Sequence, residues 1–197
     1  MMNTAEQNKI SKTERLITKI KKNNKAIIIF FTILLSVLFT YLYLKELDKK
    51  RNIKISNDFN YARILSQKEK NNDSKNLFYK IINQKNDFYS PLSLYLVIEN
   101  NLENDPQTII KLFDKIISIK KISNDDKNLI KIKKALFLIE KNIGEQEILD
   151  ELKPIINSES IWKKEATKLV ADYYLNKGDT SKSKEFYKLL KNTQNKK

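Results

Sequence analysis

Residues 26–44 read AIIIFFTILLSVLFTYLYL, a run of nineteen residues that contains no charge. Besides two tyrosines at its far end, its only polar residues are Thr32, Ser36 and Thr40, whose hydroxyls can bond back to their own helix. As a helix the run would be about 28 Å long at ~1.5 Å per residue, close to the hydrocarbon thickness of a bilayer. The tyrosine rings suit the membrane interface. The stretch therefore predicts a transmembrane helix.

Two other interpretations fit this stretch less well. A buried core helix is normally shorter or has a polar face. A cleaved signal peptide has an apolar region of about 7–15 residues and then a small-x-small cleavage site. This run is longer, and no small pair follows it in YLYLKELDKKR. An uncleaved anchor is favoured, and a signal peptide stays the alternative.

Both flanks of the span are basic, so the charge rule for orientation is weak here. The formal charge is +14 for the chain, of which the tail over residues 1–25 contributes +5 and the residues after the span +9. Because the short tail is denser in charge and a long domain translocates largely regardless of charge, we expect a cytoplasmic N-terminus. Residues 45–56, KELDKKRNIKIS, are predicted to be a charged stalk, and residues 193–197 a disordered C-terminus.

Composition limits the chemistry that the chain can perform. It contains neither cysteine nor histidine, which excludes thiol chemistry, disulfides, the usual zinc sites and histidine-based triads. Glycine-rich phosphate loops, nucleophile elbows and metal-spaced clusters are also missing. The basic residues are almost all lysines spread along every segment, so a nucleic-acid face is not favoured, whereas a mild attraction to anionic lipid headgroups fits both flanks. No enzyme activity, cofactor, metal or small-molecule substrate is expected.

From residue 57 to residue 192 apolar residues recur at spacings of three and four, the period of amphipathic helices. The predicted helices form pairs: 58–70 with 73–84, 91–103 with 106–120, 124–142 with 146–157, and 161–176 with 180–192. Three polar residues, Ser90, Asp105 and Ser123, are expected to cap helices, the first two before a proline at the first helical position. Pro154 is expected to kink or end its helix.

The second helix of each pair repeats one motif, with the spacings 35, 39 and 34: FYKII from Phe78, FDKII from Phe113, LKPII from Leu152 and FYKLL from Phe186. A period near 34 with two helices per unit is typical of a helical solenoid. The only two glycines, Gly144 and Gly178, each precede the motif by eight residues. They are predicted to be structural turns at positive φ, with Asn71-Asn72 and Asn104-Asp105 in their place in the other units.

The last unit resembles a tetratricopeptide repeat. The matching residues are Ala171, Tyr174, Gly178, Asp179, Ser183 and Tyr187, while Leu189 stands where the consensus has alanine. The other units match by pattern alone. The resemblance implies an all-α fold in which a single N-terminal transmembrane helix precedes an α-solenoid of about four tetratricopeptide-like hairpins.

The layout as a whole resembles the YfgM-like ancillary subunits of the SecYEG translocon, which have a short tail, one span, a stalk and degenerate repeats. The stretch YSPLSLY from Tyr89 and residues 161–190 resemble its second and last repeats. The basic tail and the tyrosines at the end of the span depart from the family pattern. The resemblance implies the bacterial inner membrane, a periplasmic domain, and the translocon with a periplasmic chaperone as partners.

Partner-binding candidates are the large aromatic residues of the first helices, because such side chains carry interface energy well. They are Tyr61, Tyr95, Trp162 and Tyr173. For each of them a place in the core is the competing interpretation. The function expected is therefore a membrane-anchored protein-interaction module of the translocation channel. A membrane-tethered scaffold for envelope assembly or division is the alternative, and a lipid- or peptidoglycan-active enzyme lacks any nucleophile or acid pair.

Overall fold

The computed structural model describes residues 24–194, so the predicted basic tail lies almost entirely outside the described residues, as do residues 195–197. Within that range every element is an α-helix and none is a strand, which confirms the all-α prediction. The helices are α1 (Asn24–Gln67), α2 (Asn71–Asn83), α3 (Tyr89–Glu99), α4 (Pro106–Ile117), α5 (Asn124–Glu140), α6 (Glu145–Ile156), α7 (Lys163–Asn176) and α8 (Thr180–Gln194).

The N-terminal part of α1 contains the predicted span. The helix is long and apolar enough to cross a membrane, by length and composition. Its large apolar side chains over residues 28–44 are each 50–68% exposed. The hydroxyls of Thr32, Ser36 and Thr40 each donate to a carbonyl of α1 three or four residues back, at 2.8 Å, as predicted. These bonds satisfy the three hydroxyl donors within the helix itself.

Residues 45–56, the predicted stalk, are helical and belong to α1. The chain divides into two compact units, Met1–Ile53 and Lys54–Lys197. The second unit begins earlier than the predicted residue 57 because Ile55 is only 1% exposed and packs in the same cluster as Phe59 and Phe78. The burial of Ile55 therefore sets the boundary of the second unit, although the charged residues near Ile55 in the sequence suggest an exposed segment.

In chain order the helices of the second unit correspond to the four predicted pairs: the end of α1 with α2, α3 with α4, α5 with α6, and α7 with α8. The buried residues of this unit form three clusters in chain order. The first cluster joins the end of α1 to α2 and α3, the second α3 to α4 and α5, and the third α5 to α6 and α7. Phe78, Phe113 and Leu152, the large residues of the repeated motif, are at most 1% exposed in these clusters. Phe186 is half-buried, because α8 is the last described helix.

One turn geometry closes the first helix of every pair. In each turn the second residue beyond the helix end has a positive φ: Glu69, Asn101, Asn142 and Gly178, with φ of 58°, 50°, 51° and 82°. The next residue donates its N–H to a carbonyl five residues back, at 2.9–3.0 Å. Both features define the Schellman motif, which satisfies the free carbonyls of a helix C-terminus. The four turns therefore give the pairs a common register.

The first helices of the four pairs can be aligned by their positive-φ residues. Residues at equivalent positions of this alignment then have similarly low exposed fractions. Seven residues before it lie Ala62, Leu94, Ala135 and Ala171, all 0% exposed. Four residues before it lie Leu65, Val97, Leu138 and Tyr174, all at most 6% exposed. Positions three apart share one helix face, so each first helix packs its core face in the same register.

The predicted caps are confirmed at two of three positions. Asp105 accepts the N–H groups of residues 107 and 108, with Pro106 at the first helical position, and Ser123 accepts that of residue 126. The prediction at Ser90 is wrong: α3 begins at Tyr89, and the buried Ser90 hydroxyl donates to a carbonyl of α2 at 3.1 Å. Pro154 lies inside α6, which continues to Ile156.

The predicted role of glycine holds at one position only. Gly178 has φ of +82°, as the turn requires. Gly144 has φ of −12° and precedes α6 as its N-terminal cap residue, so the prediction of positive φ is wrong there. Asn142 takes that conformation two residues earlier, and Glu69 and Asn101 do so where the asparagine pairs at 71–72 and 104–105 were predicted. The helix end, and not the glycine, defines the turn.

Candidate protein-binding grooves

A groove of about 310 Å³, here called the central groove, lies between the first helices of the second and third pairs. Its apolar lining consists of Tyr95 and Ile98 from α3, Phe113 from α4, and Leu136 and Phe137 from α5. Phe113 and Phe137 are buried core residues, whereas Leu136 is 48% exposed and Tyr95 is half-buried. An apolar side chain of a partner placed here would therefore meet a continuous hydrophobic surface.

Three charged residues surround this apolar lining. Glu99 and Glu140 are the last residues of α3 and α5, and Lys133 lies on α5 with its Nζ 4.6 Å from the centre of the Tyr95 ring. Burial, followed by the charge of Asp126, raises the pKa of Tyr95 to about 12. The phenol is thus neutral near pH 7, and its ring face attracts cations.

Equivalent positions of α3 and α5 build the two walls of the central groove. Tyr95 lies six residues before Asn101, and Leu136 lies six residues before Asn142. In the first and fourth pairs the equivalent residues are Arg63 and Asp172, both charged. At this equivalent position the two middle pairs therefore have an apolar or aromatic residue, whereas the two outer pairs have a charged one.

A second groove, the C-terminal groove, has a volume of about 380 Å³ and is lined by Tyr173 and Lys177 of α7, Glu145 of α6, and the turn before α6. Glu145 accepts hydrogen bonds from the Tyr174 hydroxyl at 2.8 Å and the Lys177 ammonium at 2.7 Å. Lys177 also lies 5.3 Å from the centre of the Tyr173 ring. The charged groups in this groove thus pair with one another.

The hydrogen bonds to Glu145 stabilise its charged form. Those from Lys177 and Tyr174, with a weaker contribution from Lys182, lower the pKa of the Glu145 carboxyl to about 2. The same carboxylate raises the pKa of both lysines. Because these partners belong to α7 and α8, the cluster joins the third helix pair to the fourth.

Comparable clusters join the other pairs. Glu103 accepts from Tyr79 at 2.6 Å and pairs with Lys75 at 2.8 Å, and its pKa falls to about 2 through a backbone N–H bond and these side chains. Between the second and third pairs, Lys134 is 7% exposed.

Lys134 bridges three helices, with Asp114 of α4 at 2.6 Å and Glu151 of α6 at 2.5 Å. Burial opposes the charged form of Lys134, but the two carboxylates outweigh it and raise its pKa. Removal of such a lysine would leave two carboxylates without their cation at the junction of the second and third pairs.

The remaining predicted contacts lie elsewhere. Tyr61 is 58% exposed and lines an N-terminal groove of about 350 Å³ that includes Leu65, Lys70 and Asp73. Trp162 is half-buried directly before α7 and packs against the third core cluster, which favours its core interpretation. The four predicted aromatic residues thus lie at four separate places, and their binding roles stay predictions.

Sequence reasoning missed Leu136 and the two glutamates of the central groove. Leu136 is an ordinary apolar residue in a helix, so composition gives it no distinction from the core residue Ala135 beside it. The signal that could have found Leu136 is the alignment of the four units. When the units are aligned by the ends of their first helices, and not by their glycines, Tyr95 and Leu136 occupy the same position.

Among residues 24–194, no group of three or more aspartates or glutamates is arranged to hold a metal ion. No protein-family model, curated protein or solved structure matches the chain.

Proposed function

We propose that the chain is a single-pass membrane protein whose second unit is a solenoid of four tetratricopeptide-like helical hairpins that binds protein partners. The observation that carries this proposal is the central groove, where Leu136 is 48% exposed beside the half-buried Tyr95 and Ile98. Exposed apolar residues gathered in a concave site mark binding surfaces on proteins.

The solenoid is supported by the four Schellman turns, the shared burial register and the core clusters that follow chain order. In solenoids each repeat contacts its neighbours only, and the first helices line the inner surface. The central groove lies between two first helices, as an inner-surface site requires. Helical repeat proteins of this kind bind other proteins and carry out no chemistry of their own.

By its resemblance to the YfgM-like subunits, the protein would bind the translocation channel and a periplasmic chaperone from the bacterial inner membrane. Its N-terminus would be cytoplasmic and its helical domain periplasmic. A membrane anchor confines such a protein to two dimensions, where weak contacts suffice because the effective concentration is high. The exposed apolar residues 28–44 of α1 support the anchor.

Protease added to intact spheroplasts tests the topology. We expect digestion of the helical domain while the N-terminal tail is protected. A domain that is digested only after lysis would reverse the orientation, and a soluble product that starts near residue 45 would show a cleaved signal peptide.

Affinity capture from crosslinked membranes, read by mass spectrometry, tests the binding function. Tagged wild-type protein should enrich translocon components, and Leu136→Asp should lose them. Leu175→Asp is the matched control, because Leu175 is 50% exposed on α7 and lies outside the central groove. Enrichment of division or cell-wall proteins would favour the scaffold function. Equal capture by all three proteins would refute the central groove as the binding site.

A further inference from the structure

Two carboxylates of the central groove occupy positions that are unfavourable within the fold itself. Glu99 and Glu140 end α3 and α5, where the helix dipole places partial negative charge and disfavours an acid. Glu99 forms no ion pair within the described residues, and Glu140 pairs only with the neighbouring Lys141, at 2.9 Å, while 67% exposed. Exposed pairs of this kind contribute little. Neither carboxylate is therefore explained by folding stability.

The two glutamates also occupy equivalent positions. Each lies two residues before the positive-φ residue of its turn, Asn101 or Asn142. At the same position the first and fourth pairs have Gln67 and Asn176, which are uncharged. Carboxylates thus occur at this position only in the two helices that form the central groove. Residues that break a local rule without a structural gain point to function.

Glu99 and Glu140 both line the groove, so the C-terminal ends of α3 and α5 meet at one end of it. That end combines two carboxylates with two helix C-termini, and all four favour a cation. Next to it are the exposed Leu136 and the half-buried Ile98, which favour apolar side chains. Lys133 is held over the Tyr95 ring, at 4.6 Å from its centre.

We propose that the central groove binds a peptide segment in which a lysine or arginine stands beside a short apolar run. The basic side chain would contact Glu99 and Glu140, and the apolar run would cover Leu136 and Ile98. This inference rests on the proposed protein-binding function and adds to it the chemistry of the bound segment. It also runs against the bulk electrostatics, because a chain with a net charge of +14 repels basic peptides as a whole.

Fluorescence anisotropy with labelled, end-capped peptides and the full chain in detergent micelles tests this chemistry. Three peptides share one leucine run and differ in a single flanking residue, which is arginine, glutamine or glutamate. We expect the arginine peptide to bind tightest and the glutamate peptide weakest. The double variant Glu99→Gln/Glu140→Gln should weaken the arginine peptide about fivefold, the effect of roughly 1 kcal/mol of exposed charge pairing, and leave the glutamine peptide unchanged.

A matched charge change controls for the effect of net charge. Glu165→Gln/Glu185→Gln removes two exposed carboxylates from α7 and α8, outside the central groove, and should leave the preference for arginine intact. Equal loss in both double variants would reduce the effect to bulk charge and overturn the inference. Tightest binding of the glutamate peptide would also overturn it.

The outcomes separate this inference from the function on which it rests. If all three peptides bind equally and Leu136→Asp abolishes their binding, the groove accepts apolar segments and the cation preference is wrong. If no peptide binds and Leu136→Asp retains every captured membrane partner, the proposed function fails together with the inference. Self-association that depends on Leu136 in light scattering would identify a second copy of the chain as the occupant, and would overturn the peptide proposal.

Discussion

The central and C-terminal grooves both lie at junctions of neighbouring helix pairs, yet their contents differ. In the central groove Tyr95 and Leu136 both contribute apolar surface, and Glu99 has no ionic partner in the described chain. In the C-terminal groove Glu145 is bonded to Tyr174 and Lys177, whereas a lysine lies over a tyrosine ring in both grooves. A groove whose groups pair internally stabilises the fold, whereas one whose groups do not is available to a partner.

Two tyrosines that look alike in the sequence also have different surroundings in the two grooves. Tyr95 and Tyr173 both lie on first helices and both line grooves. Around Tyr173 the charges already satisfy one another, so a ligand would have to displace them. Around Tyr95 a ligand would cover apolar surface that is now exposed to solvent, which is favourable.

The largest effect on stability is expected from a substitution of Lys134, which lies at the junction of the second and third helix pairs. Lys134→Met should lower the free energy of unfolding by about 2 kcal/mol, because the mostly buried Glu151 loses its cation, whereas Asp114 is 57% exposed and loses little. Trp162 is the only tryptophan and packs on the third cluster, so its fluorescence reports the thermal transition. The control Lys133→Met changes an exposed neighbour and should shift the transition little. Equal shifts would mean that the buried bridge has no special role.

The second prediction compares the two glycines beside the C-terminal groove. Gly178→Val should destabilise the fold by about 1 kcal/mol or more, since φ of +82° is strained for a β-branched residue although nothing lies within 4 Å of the added Cβ. Gly144→Val should cost less. Its new Cβ meets only the end of the flexible Glu147 side chain, and φ is not positive.

The melting temperatures of both glycine variants, measured in the same buffer, check this order. The reverse order would show that the turn before α6, and not the Schellman turn, limits the stability of the third and fourth pairs.

The smallest effect concerns pH and the ion cluster of the C-terminal groove. The folded pKa of Glu145 is about 2, below the value of 4.5 for the unconstrained side chain. Its stabilisation is therefore fully present above pH 4.5 and is lost as the pH falls toward 2. Glu145→Gln should flatten the fall of melting temperature in this window.

The matched variant Glu147→Gln changes a more exposed residue of the same helix. Its melting temperature should fall with pH as steeply as that of the wild type. The cluster would have no stabilising role if Glu145→Gln and the wild type lost stability in parallel throughout the acid range.

The sequence alone predicted helices along residues 58–192 well, because apolar period and capping residues are local signals, but it separated the span from the helix at 58–70, and the structure joins both in α1. Asp105 and Ser123 cap where expected. The register of the turns was predicted less well. Glycine is the obvious residue for positive φ, yet three of the four turns use Glu69, Asn101 or Asn142, which are tolerated because a Schellman motif supplies two hydrogen bonds.

The candidate site was only partly predictable for a related reason. Tyr95 was identified from its side chain, whereas Leu136 and Glu140 are informative only through their places relative to a helix end that was not fixed in advance. Trp162 packs on the third cluster, which favours the core interpretation that the sequence also allowed, and its binding role stays a prediction. The boundary at Lys54 depended on burial of Ile55, which lies among charges in the sequence.

Site-specific photocrosslinking in living cells tests most directly whether the central groove is the binding surface. A photoreactive phenylalanine analogue replaces Tyr95 in one protein and Tyr173 in another, and adducts are quantified after irradiation. We expect a protein adduct at position 95 that disappears with Leu136→Asp, and little or none at position 173. Adducts at position 173 with none at position 95 would contradict the assignment of the central groove as the place where partners bind.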